Sequence, residues 1–321
     1  LKEFTPAQLE LWVQKGGQPA YGARQLLKWL YSQNVFDFQA MTDLSKDFRG
    51  WLAENARTSC LRREKVLTDV DGTRKILFRL QDGDSIESVL IEEEKRLTLC
   101  LSSQVGCAYG CRFCLTGRGG YRRNLTAGEI VDQICAARRE LGKGERLTNL
   151  VFMGMGEPLA NLDQVLKALE IIVSDRGRNF STRKITLSTV GLIPEMLKLS
   201  SLFPIKLAVS LHAADNETRS RIMPINKRYP LEDVLQACRE LDLPRRNRIT
   251  FEYLLLGGVN DSPEAARKLA KLLAGLRAKI NLIPFNEYPG AEFKSPSSTS
   301  VEEFQKILQD KHFTATVRQS R

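Results

Sequence analysis

The N-terminal part of the chain carries hydrophobic side chains at helical spacing. Segments 20–31 and 41–52 place apolar residues three and four positions apart among basic residues, so we predict helices there. Apolar and polar residues then alternate in segments 75–80 and 85–91, which predicts two short strands. Residues 81–84 read Gln-Asp-Gly-Asp and predict the hairpin turn that joins these strands.

From Arg96 onward, apolar strand-like runs alternate with helical segments. We predict strands at 97–101, 147–153, 184–188, 205–211, 249–256 and 279–283, and helices at 126–141, 162–174, 193–199, 231–241 and 263–276. Buried strands that alternate with helices indicate an α/β fold with a parallel sheet. Six such units favour a partial (β/α)6 barrel over a complete eight-unit barrel, and an open doubly wound sheet is the alternative.

These patterns divide the chain into three predicted regions. Residues 1–58 form an N-terminal helical accessory domain, residues 59–95 form a β-hairpin linker, and residues 96–321 form the partial barrel. No apolar run approaches the length of a membrane span, and the N-terminus lacks the pattern of a signal peptide. We therefore expect a cytoplasmic protein with no membrane partner.

Charge and cysteine content narrow the function further. The formal net charge is +10 and the pI is about 9.3, which favours a polyanionic partner, above all nucleic acid. The seven cysteines are an odd number and are clustered, which argues against a framework of structural disulfides.

Unusual residues follow the predicted strands at the points where those strands end. Residues 107–114 follow the first strand, 154–158 the second and 188–191 the third, while 210–212 end the fourth and Asn286 lies beyond the sixth. In both candidate architectures, chemistry gathers at the carboxyl ends of the strands. The sequence therefore predicts one site at this edge.

Cys107, Cys111 and Cys114 form a C-x3-C-x2-C loop with glycines that allow it to wrap a ligand. Thiolates are the usual ligands of iron–sulfur clusters, and three of them leave one iron of a four-iron cluster open to an outside ligand. The alternative is structural zinc, which usually takes a second cysteine pair or two histidines. The chain has no second C-x2-C pair and only two histidines, so we favour the cluster.

This spacing, with Phe113 before the last cysteine, resembles the radical S-adenosylmethionine (radical SAM) superfamily. The glycine-rich run at 153–158 looks like the second-strand motif of that superfamily. The resemblance implies a [4Fe–4S] cluster whose open iron is chelated by S-adenosylmethionine.

Segments along nearly the whole chain are similar to the RlmN family of dual-specificity RNA methyltransferases: 98–107, 151–161, 187–191, 207–213 and 281–286. The resemblance implies methylation of adenine C2 in 23S rRNA and in some tRNAs. The alternatives are a Cfr-type enzyme, which methylates adenine C8, and a non-catalytic iron–sulfur protein that binds RNA.

The resemblance also implies a mechanism and its catalytic residues. Two S-adenosylmethionine molecules serve each turnover: one places a methyl group on a protein cysteine, and the other yields the radical that activates this methyl group. Glu87 matches the proton-accepting acid, and Cys100 matches the cysteine that releases the product by forming a disulfide bond. From the residues alone, Glu87 also fits the polar face of a hairpin, and Cys100 also fits a small buried hydrophobe.

The remaining family positions concern the cofactor. The residues that match cofactor contacts are Gly156, Glu157, Ser188, Ser210, Leu211, His212 and Asn286. The family's methyl-carrying cysteine lies a few residues beyond a strand that matches 316–321, so we expect it past the end of this sequence. Cys60, Cys135 and Cys238 match no functional position, and the last two lie on apolar helix faces.

Basic and aromatic residues around the cysteine loop fit an RNA partner. They are Arg112, Arg118, Arg122, Arg123, Tyr109 and Tyr121, and a second basic group contains Arg245, Arg246 and Arg248. The alternative for each arginine is a solvated surface charge. The resemblance further implies a monomer that takes electrons from a flavodoxin or ferredoxin.

Overall fold

A computed structural model describes residues 1–244 and 247–318. Arg245 and Arg246 of the second basic group, and the end of the predicted strand at 319–321, lie outside these residues. The α-helices of the described residues are α1 (Pro6–Lys15), α2 (Ala20–Leu27), α3 (Lys46–Asn55), α4 (Leu115–Arg118), α5 (Ala127–Ala137), α6 (Leu162–Val173), α7 (Ile193–Leu202), α8 (Asn216–Ile222), α9 (Leu231–Glu240), α10 (Pro263–Leu272) and α11 (Ser298–Asp310). The strands are β1 (Arg62–Thr68), β2 (Arg74–Arg79), β3 (Ser85–Glu93), β4 (Arg96–Cys100), β5 (Gln104–Gly106), β6 (Tyr121–Asn124), β7 (Asn149–Phe152), β8 (Ile185–Thr189), β9 (Lys206–Ser210), β10 (Ile249–Leu255), β11 (Ala278–Pro284) and β12 (Ala315–Val317).

The chain forms two compact units. The first unit comprises Leu1–Val105, Arg123–Met155 and Asn161–Ile185. The second unit comprises Gly106–Arg122, Gly156–Ala160 and the described residues from Thr186 onward. Within residues 1–244 and 247–318, no helix is long and apolar enough to traverse a bilayer.

The first unit begins with helices and continues into an antiparallel sheet. The helix predicted at 20–31 is α2 followed by a π-helical turn at Lys28–Gln33, and the helix predicted at 41–52 is α3. In the sheet, β1, β2, β3 and β4 pair antiparallel in that order, and β7 pairs parallel to β4. The predicted turn is confirmed, because the N–H of Leu80 donates to the carbonyl oxygen of Asp84 at 2.8 Å.

Two elements of the first unit were not predicted, for different reasons. Strand β1 is exposed along almost its whole length, so its sequence carries no alternation of apolar and polar residues. Helix α1 has only ten residues, which leaves little length for a periodic pattern. Its start is fixed by a capping box between Thr5 and Gln8, and it buries Leu9 and Val13.

The second unit is built on parallel strands in sequential order. Each of β8, β9, β10, β11 and β12 pairs parallel to the next along the chain. This order has no reversal, whereas a doubly wound sheet requires one. The strand order of the second unit therefore follows the singly wound pattern of a (β/α) barrel, and the prediction of an α/β fold is confirmed.

Candidate functional site

The carboxyl ends of β8 and β9 are tied together by Arg219 of α8. This side chain is fully buried, and its guanidinium donates to the carbonyl oxygens of Val190 at 2.9 Å and Ser210 at 3.2 Å. Burial lowers the pKa of Arg219 to about 10, which leaves the guanidinium charged at neutral pH. The loops that the sequence predicted to share one edge are thus held side by side, by a residue that sequence reasoning missed.

The cysteine loop is closed at its neck by main-chain contacts. The N–H of Cys107 donates to the carbonyl oxygen of Gly120 at 3.0 Å. Gly106 has a φ of +75°, and a Cβ added there would lie 1.8 Å from the Gly120 carbonyl oxygen. Only glycine fits this close approach. Farther along the loop, the N–H of Cys114 donates to the carbonyl oxygen of Cys111 at 3.0 Å, and Cys114 is the N-terminal cap of α4.

The three thiols lie within electrostatic reach of one another. Burial raises the pKa of Cys111 to about 12, and negative charge on Cys114 and Cys107 adds to this rise. Burial also raises the pKa of Cys107. Cys107 and Cys111 therefore favour the neutral thiol, whereas a cation bound to the loop would favour the thiolates, because a bound metal inverts the local electrostatics. The closed loop thus brings the three thiols near one another, and their role as cluster ligands stays a prediction.

Glu157 of the glycine-rich run is buried beside the end of β8. One of its carboxylate oxygens accepts from the N–H of Val190 at 2.8 Å, and the other accepts from the N–H of Leu159 at 3.0 Å. Burial raises the pKa of Glu157 to about 7, and these hydrogen bonds oppose part of the rise. The carboxylate thus fixes the glycine-rich run against the loop that follows β8.

His212 is buried and adopts a φ of +57°, which is uncommon for a residue other than glycine. Its Nδ1 accepts from the N–H of Leu254 at 3.0 Å, so the ring is neutral with its proton on Nε2. Burial, assisted by the charge of Arg219, lowers the pKa of His212 to about 3. The ring of Phe113 meets the imidazole edge-on with 4.9 Å between centroids, which connects the end of β9 to the cysteine loop.

Ser188 and Ser210 face a carboxylate that sequence reasoning missed. The hydroxyl of Ser188 donates to Glu252 of β10 at 2.8 Å, and Glu252 pairs with Ser210 in the ladder between β10 and β9. The sequence did carry a signal for this residue, because Glu252 is the single acid in the apolar run of β10. Leu211 is fully buried, whereas Asn286 is exposed beyond β11.

Glu87 and Cys100 lie in the first unit and share one face of its sheet. Val89 pairs with Cys100 across β3 and β4, and Glu87 lies two residues from Val89 on the same face. Such diagonal neighbours are about 7–8 Å apart. The Glu87 side chain is 43% exposed, and one of its carboxylate oxygens lies 3.5 Å from Nζ of Lys75. Glu87 therefore also fits an acid on the polar face of a hairpin, and Cys100 also fits a small buried side chain. The catalytic roles of both residues stay predictions.

Arg123 and Arg112, which were predicted to reach RNA, pair with carboxylates. Arg123 pairs with Glu129 and Asp82 and is only 30% exposed, so it braces the first unit. Arg112 forms a bidentate pair with Glu292 on the surface of the second unit. The two tyrosines near the cysteine loop differ in exposure: Tyr121 is exposed and Tyr109 is half-buried.

All seven cysteines are free thiols. Cys135 and Cys238 are buried on α5 and α9, which confirms that they are core residues. Cys60 is half-buried, and its N–H donates to Asp132 at 2.7 Å. No disulfide bond joins these seven cysteines to one another, and the transient disulfide predicted for Cys100 stays a prediction.

Comparisons with known proteins identify the family. The family model described as Radical SAM superfamily matches residues 101–270. The family model described as Ribosomal RNA large subunit methyltransferase N-terminal domain matches residues 1–58. A relative from Syntrophobacter fumaroxidans, named Dual-specificity RNA methyltransferase RlmN, is 53% identical over 100% of this chain and 94% of its own length. The chain belongs to the RlmN family of radical SAM enzymes. An RlmN relative from Geobacter sulfurreducens is also 53% identical, over 100% of this chain and 88% of its own.

A solved structure extends the RlmN likeness to the fold. The crystal structure of a radical SAM methyltransferase from Sphaerobacter thermophilus superposes with a TM-score of 0.97 at 45% identity, covering 100% of this chain and 95% of that one. Membership of the RlmN family implies a [4Fe–4S] cluster and S-adenosylmethionine as cofactors.

The residues of the second unit fit these RlmN cofactors. Among the described residues, no three Cys, His, Asp or Glu side chains converge on a point where one metal ion would bind. A four-iron cluster makes a different demand, because each thiolate binds a different iron and the sulfurs surround the cluster. One closed loop supplies three thiols, and the neighbouring strand ends supply hydroxyl, carboxylate and imidazole groups for a polar ligand.

Proposed function

We propose that this chain is a radical SAM methyltransferase that adds a methyl group to C2 of adenine in 23S rRNA and in tRNA. The observation that carries the proposal is chain-long identity of 53% to a relative named Dual-specificity RNA methyltransferase RlmN. The three-thiol loop of the second unit and the acid–cysteine face of the first unit are consistent with it, because they supply the residue types that this chemistry needs.

The chemistry explains why such an enzyme carries a cluster. Adenine C2 is an electron-poor carbon, so it does not attack the methyl group of S-adenosylmethionine directly. When bound, the cluster and S-adenosylmethionine supply the electron and the hydrogen-abstracting radical that a one-electron route requires. Cys107, Cys111 and Cys114 would hold the cluster. Glu157, Ser188, Ser210, Leu211, His212 and Asn286, with the main chain of Gly156, would bind and orient S-adenosylmethionine.

Glu87 and Cys100 would act on the RNA adduct. Glu87 would accept the proton from adenine C2 as a general base, and Nζ of Lys75 lies 3.5 Å from its carboxylate. Cys100 would attack the sulfur of the methyl-carrying cysteine: an S–S bond forms, the bond from that sulfur to the carbon attached to adenine breaks, and that carbon takes a proton as the product leaves. Their shared sheet face is what allows two successive steps on one nucleotide.

Surface groups would bind the RNA substrate. Tyr121 is 45% exposed and offers a ring on which an extruded base can stack. Arg112 is 46% exposed and can exchange its surface partner Glu292 for a phosphate at low cost. We propose that residues 1–58 assist as an accessory RNA-binding domain. We also propose that a flavodoxin or ferredoxin supplies the electrons, and that the enzyme acts as a monomer in the cytoplasm.

The test is anaerobic reconstitution of the protein expressed from its complete gene, followed by dithionite, S-adenosylmethionine and RNA. Mass spectrometry of the digest should detect 5′-deoxyadenosine and 2-methyladenosine with both 23S rRNA fragments and tRNA. Cys111→Ala should lose iron and both products. Cys238→Ala is the matched control, because this thiol is buried on α9 outside the site and its loss should leave the iron content unchanged.

Glu87→Gln separates the two halves of the mechanism. This variant should bind iron and cleave S-adenosylmethionine, yet accumulate a covalent protein–RNA adduct, because the C2 proton has no acceptor. Formation of 8-methyladenosine would replace the proposal with the Cfr-type reaction. A four-iron cluster without any deoxyadenosine would instead indicate a non-catalytic iron–sulfur RNA-binding protein.

A further inference from the structure

Glu252 is a buried acid at the centre of the second unit's parallel sheet. It is 8% exposed and lies on β10, with Ser210 of β9 and Asn281 of β11 opposite it in the two flanking ladders. Polar residues therefore face one another across three neighbouring strands, at a depth where apolar side chains are the rule. A buried carboxylate in this position requires partners.

Glu252 contacts four of the positions matched to the cofactor. Its carboxylate accepts from the hydroxyl of Ser188 at 2.8 Å, and Ser210 flanks it on β9. Its main-chain carbonyl oxygen accepts from the N–H of Leu211 at 3.0 Å and the N–H of His212 at 3.3 Å. Side chain and main chain of one residue thus contact the ends of two strands that bear the site.

Three neutral hydrogen-bond donors and one cation act on the Glu252 carboxylate. Burial raises its pKa, and hydrogen bonds from Ser188, Asn281 and Ser210, together with the positive charge of Arg318, oppose part of that rise. Neutral donors stabilise the anion less well than a cation does in a low-dielectric interior. A positively charged ligand in this part of the sheet would therefore stabilise Glu252, and Glu252 would favour that ligand over a neutral analogue.

We propose that Glu252 is a positioning residue for S-adenosylmethionine that also selects the cationic sulfonium over the neutral thioether of S-adenosylhomocysteine. Its carboxylate accepts hydrogen bonds from the hydroxyls of Ser188 and Ser210, so that both serine oxygens turn their lone pairs toward the ligand's donor groups. Its negative charge favours the sulfonium. The inference rests on the proposed function, because that function makes Ser188 and Ser210 cofactor contacts.

The experiment measures binding without turnover. Reconstituted protein is dialysed to equilibrium against radiolabelled S-adenosylmethionine or S-adenosylhomocysteine in the absence of reductant. Glu252→Gln should weaken S-adenosylmethionine binding by roughly tenfold or more, the scale of a lost charge-assisted contact, and change S-adenosylhomocysteine binding by less than about threefold. Glu303→Gln, an exposed acid on α11, is the matched control and should change neither.

Two further variants keep the inference testable if glutamine disturbs the fold. Glu252→Asp retains the charge on a shorter side chain, so it should weaken both ligands while preserving the preference for S-adenosylmethionine. Ser188→Ala combined with Glu252→Gln should cost less than the sum of the single changes, because the first removes and the second weakens the same charge-assisted hydrogen bond.

The outcomes separate this inference from the proposed function. Wild-type protein that binds neither ligand would overturn the proposed function itself. Wild-type protein that prefers S-adenosylmethionine, with the same preference in Glu252→Gln, would overturn only the role of Glu252. Loss of that preference in Glu252→Gln and its retention in Glu252→Asp would support the inference.

Discussion

Replacing Arg219 should reveal how strongly this side chain holds the site together. Its guanidinium donates to five acceptors: the carbonyl oxygens of Val190 (2.9 Å), Ser210 (3.2 Å), Leu211 (3.2 Å) and Tyr229 (3.0 Å), and the side-chain oxygen of Asn226 (2.8 Å). Arg219 is fully buried, so water cannot replace these bonds without opening the structure. Arg219→Met removes every donor and leaves a similar volume of apolar side chain.

The magnitude follows from two opposing effects. Each buried acceptor that loses its only partner costs about 1–3 kcal/mol. Methionine also removes the cost of burying a charge, which offsets part of this loss. We expect a net decrease of about 2–4 kcal/mol in the free energy of unfolding, which is a large share of the roughly 5–15 kcal/mol typical of a protein.

Arg219→Lys distinguishes hydrogen bonding from packing. Lysine keeps the buried charge but offers three donors instead of five, so we expect it to be at least as destabilising as methionine. Urea unfolding of the apo-protein, followed by circular dichroism, measures both changes. Arg239→Met on the exposed side of α9 is the control and should shift stability by less than about 0.5 kcal/mol. A loss below about 1 kcal/mol for Arg219→Met would refute the reasoning.

Two further predictions concern pH and the cysteine loop. Burial lowers the pKa of His212 to about 3, so stability should fall as pH drops below the unfolded value of about 6.5, by at most about 1.4 kcal/mol per unit. His212→Asn should lessen this fall in urea unfolding between about pH 7 and about pH 5, and parallel curves would contradict it. Gly106→Ala should bind less iron on reconstitution, because its Cβ would lie 1.8 Å from the Gly120 carbonyl oxygen. Gly119→Ala, with 3.5 Å to the nearest atom, should bind iron normally, and equal iron contents would show that the loop adapts.

The hydrophobic pattern located the six strands of the predicted βα units. Strands β4, β7, β8, β9, β10 and β11 each fall within or beside a predicted segment, because a strand buried on both faces must be a continuous apolar run. The pattern missed α8, where only Arg219 and Ile222 are buried. A helix that buries an arginine through hydrogen bonds has no apolar stripe to detect.

The cysteine loop could be predicted from the sequence alone. Three cysteines at fixed spacing can reach one cluster whatever the rest of the fold does, because the ligands lie within eight consecutive residues. Glycine at position 106 and the residues that follow each strand were visible for the same reason. These features depend on contacts within a short stretch of chain.

Only the tertiary structure decided which distant residues meet. Glu252 comes 64 residues after Ser188, yet its carboxylate accepts the serine hydroxyl at 2.8 Å. Val190 and Glu157 are joined across 33 residues by a hydrogen bond of 2.8 Å. Strand pairing through β9 brings Glu252 of β10 close to Ser188 of β8. Burial then makes such hydrogen bonds necessary, because leaving a polar group unpaired in the interior costs more free energy than ordering its partner. Local spacing thus sufficed to predict the cysteine ligands, whereas strand pairing and burial decided which distant polar groups meet at the ends of the strands.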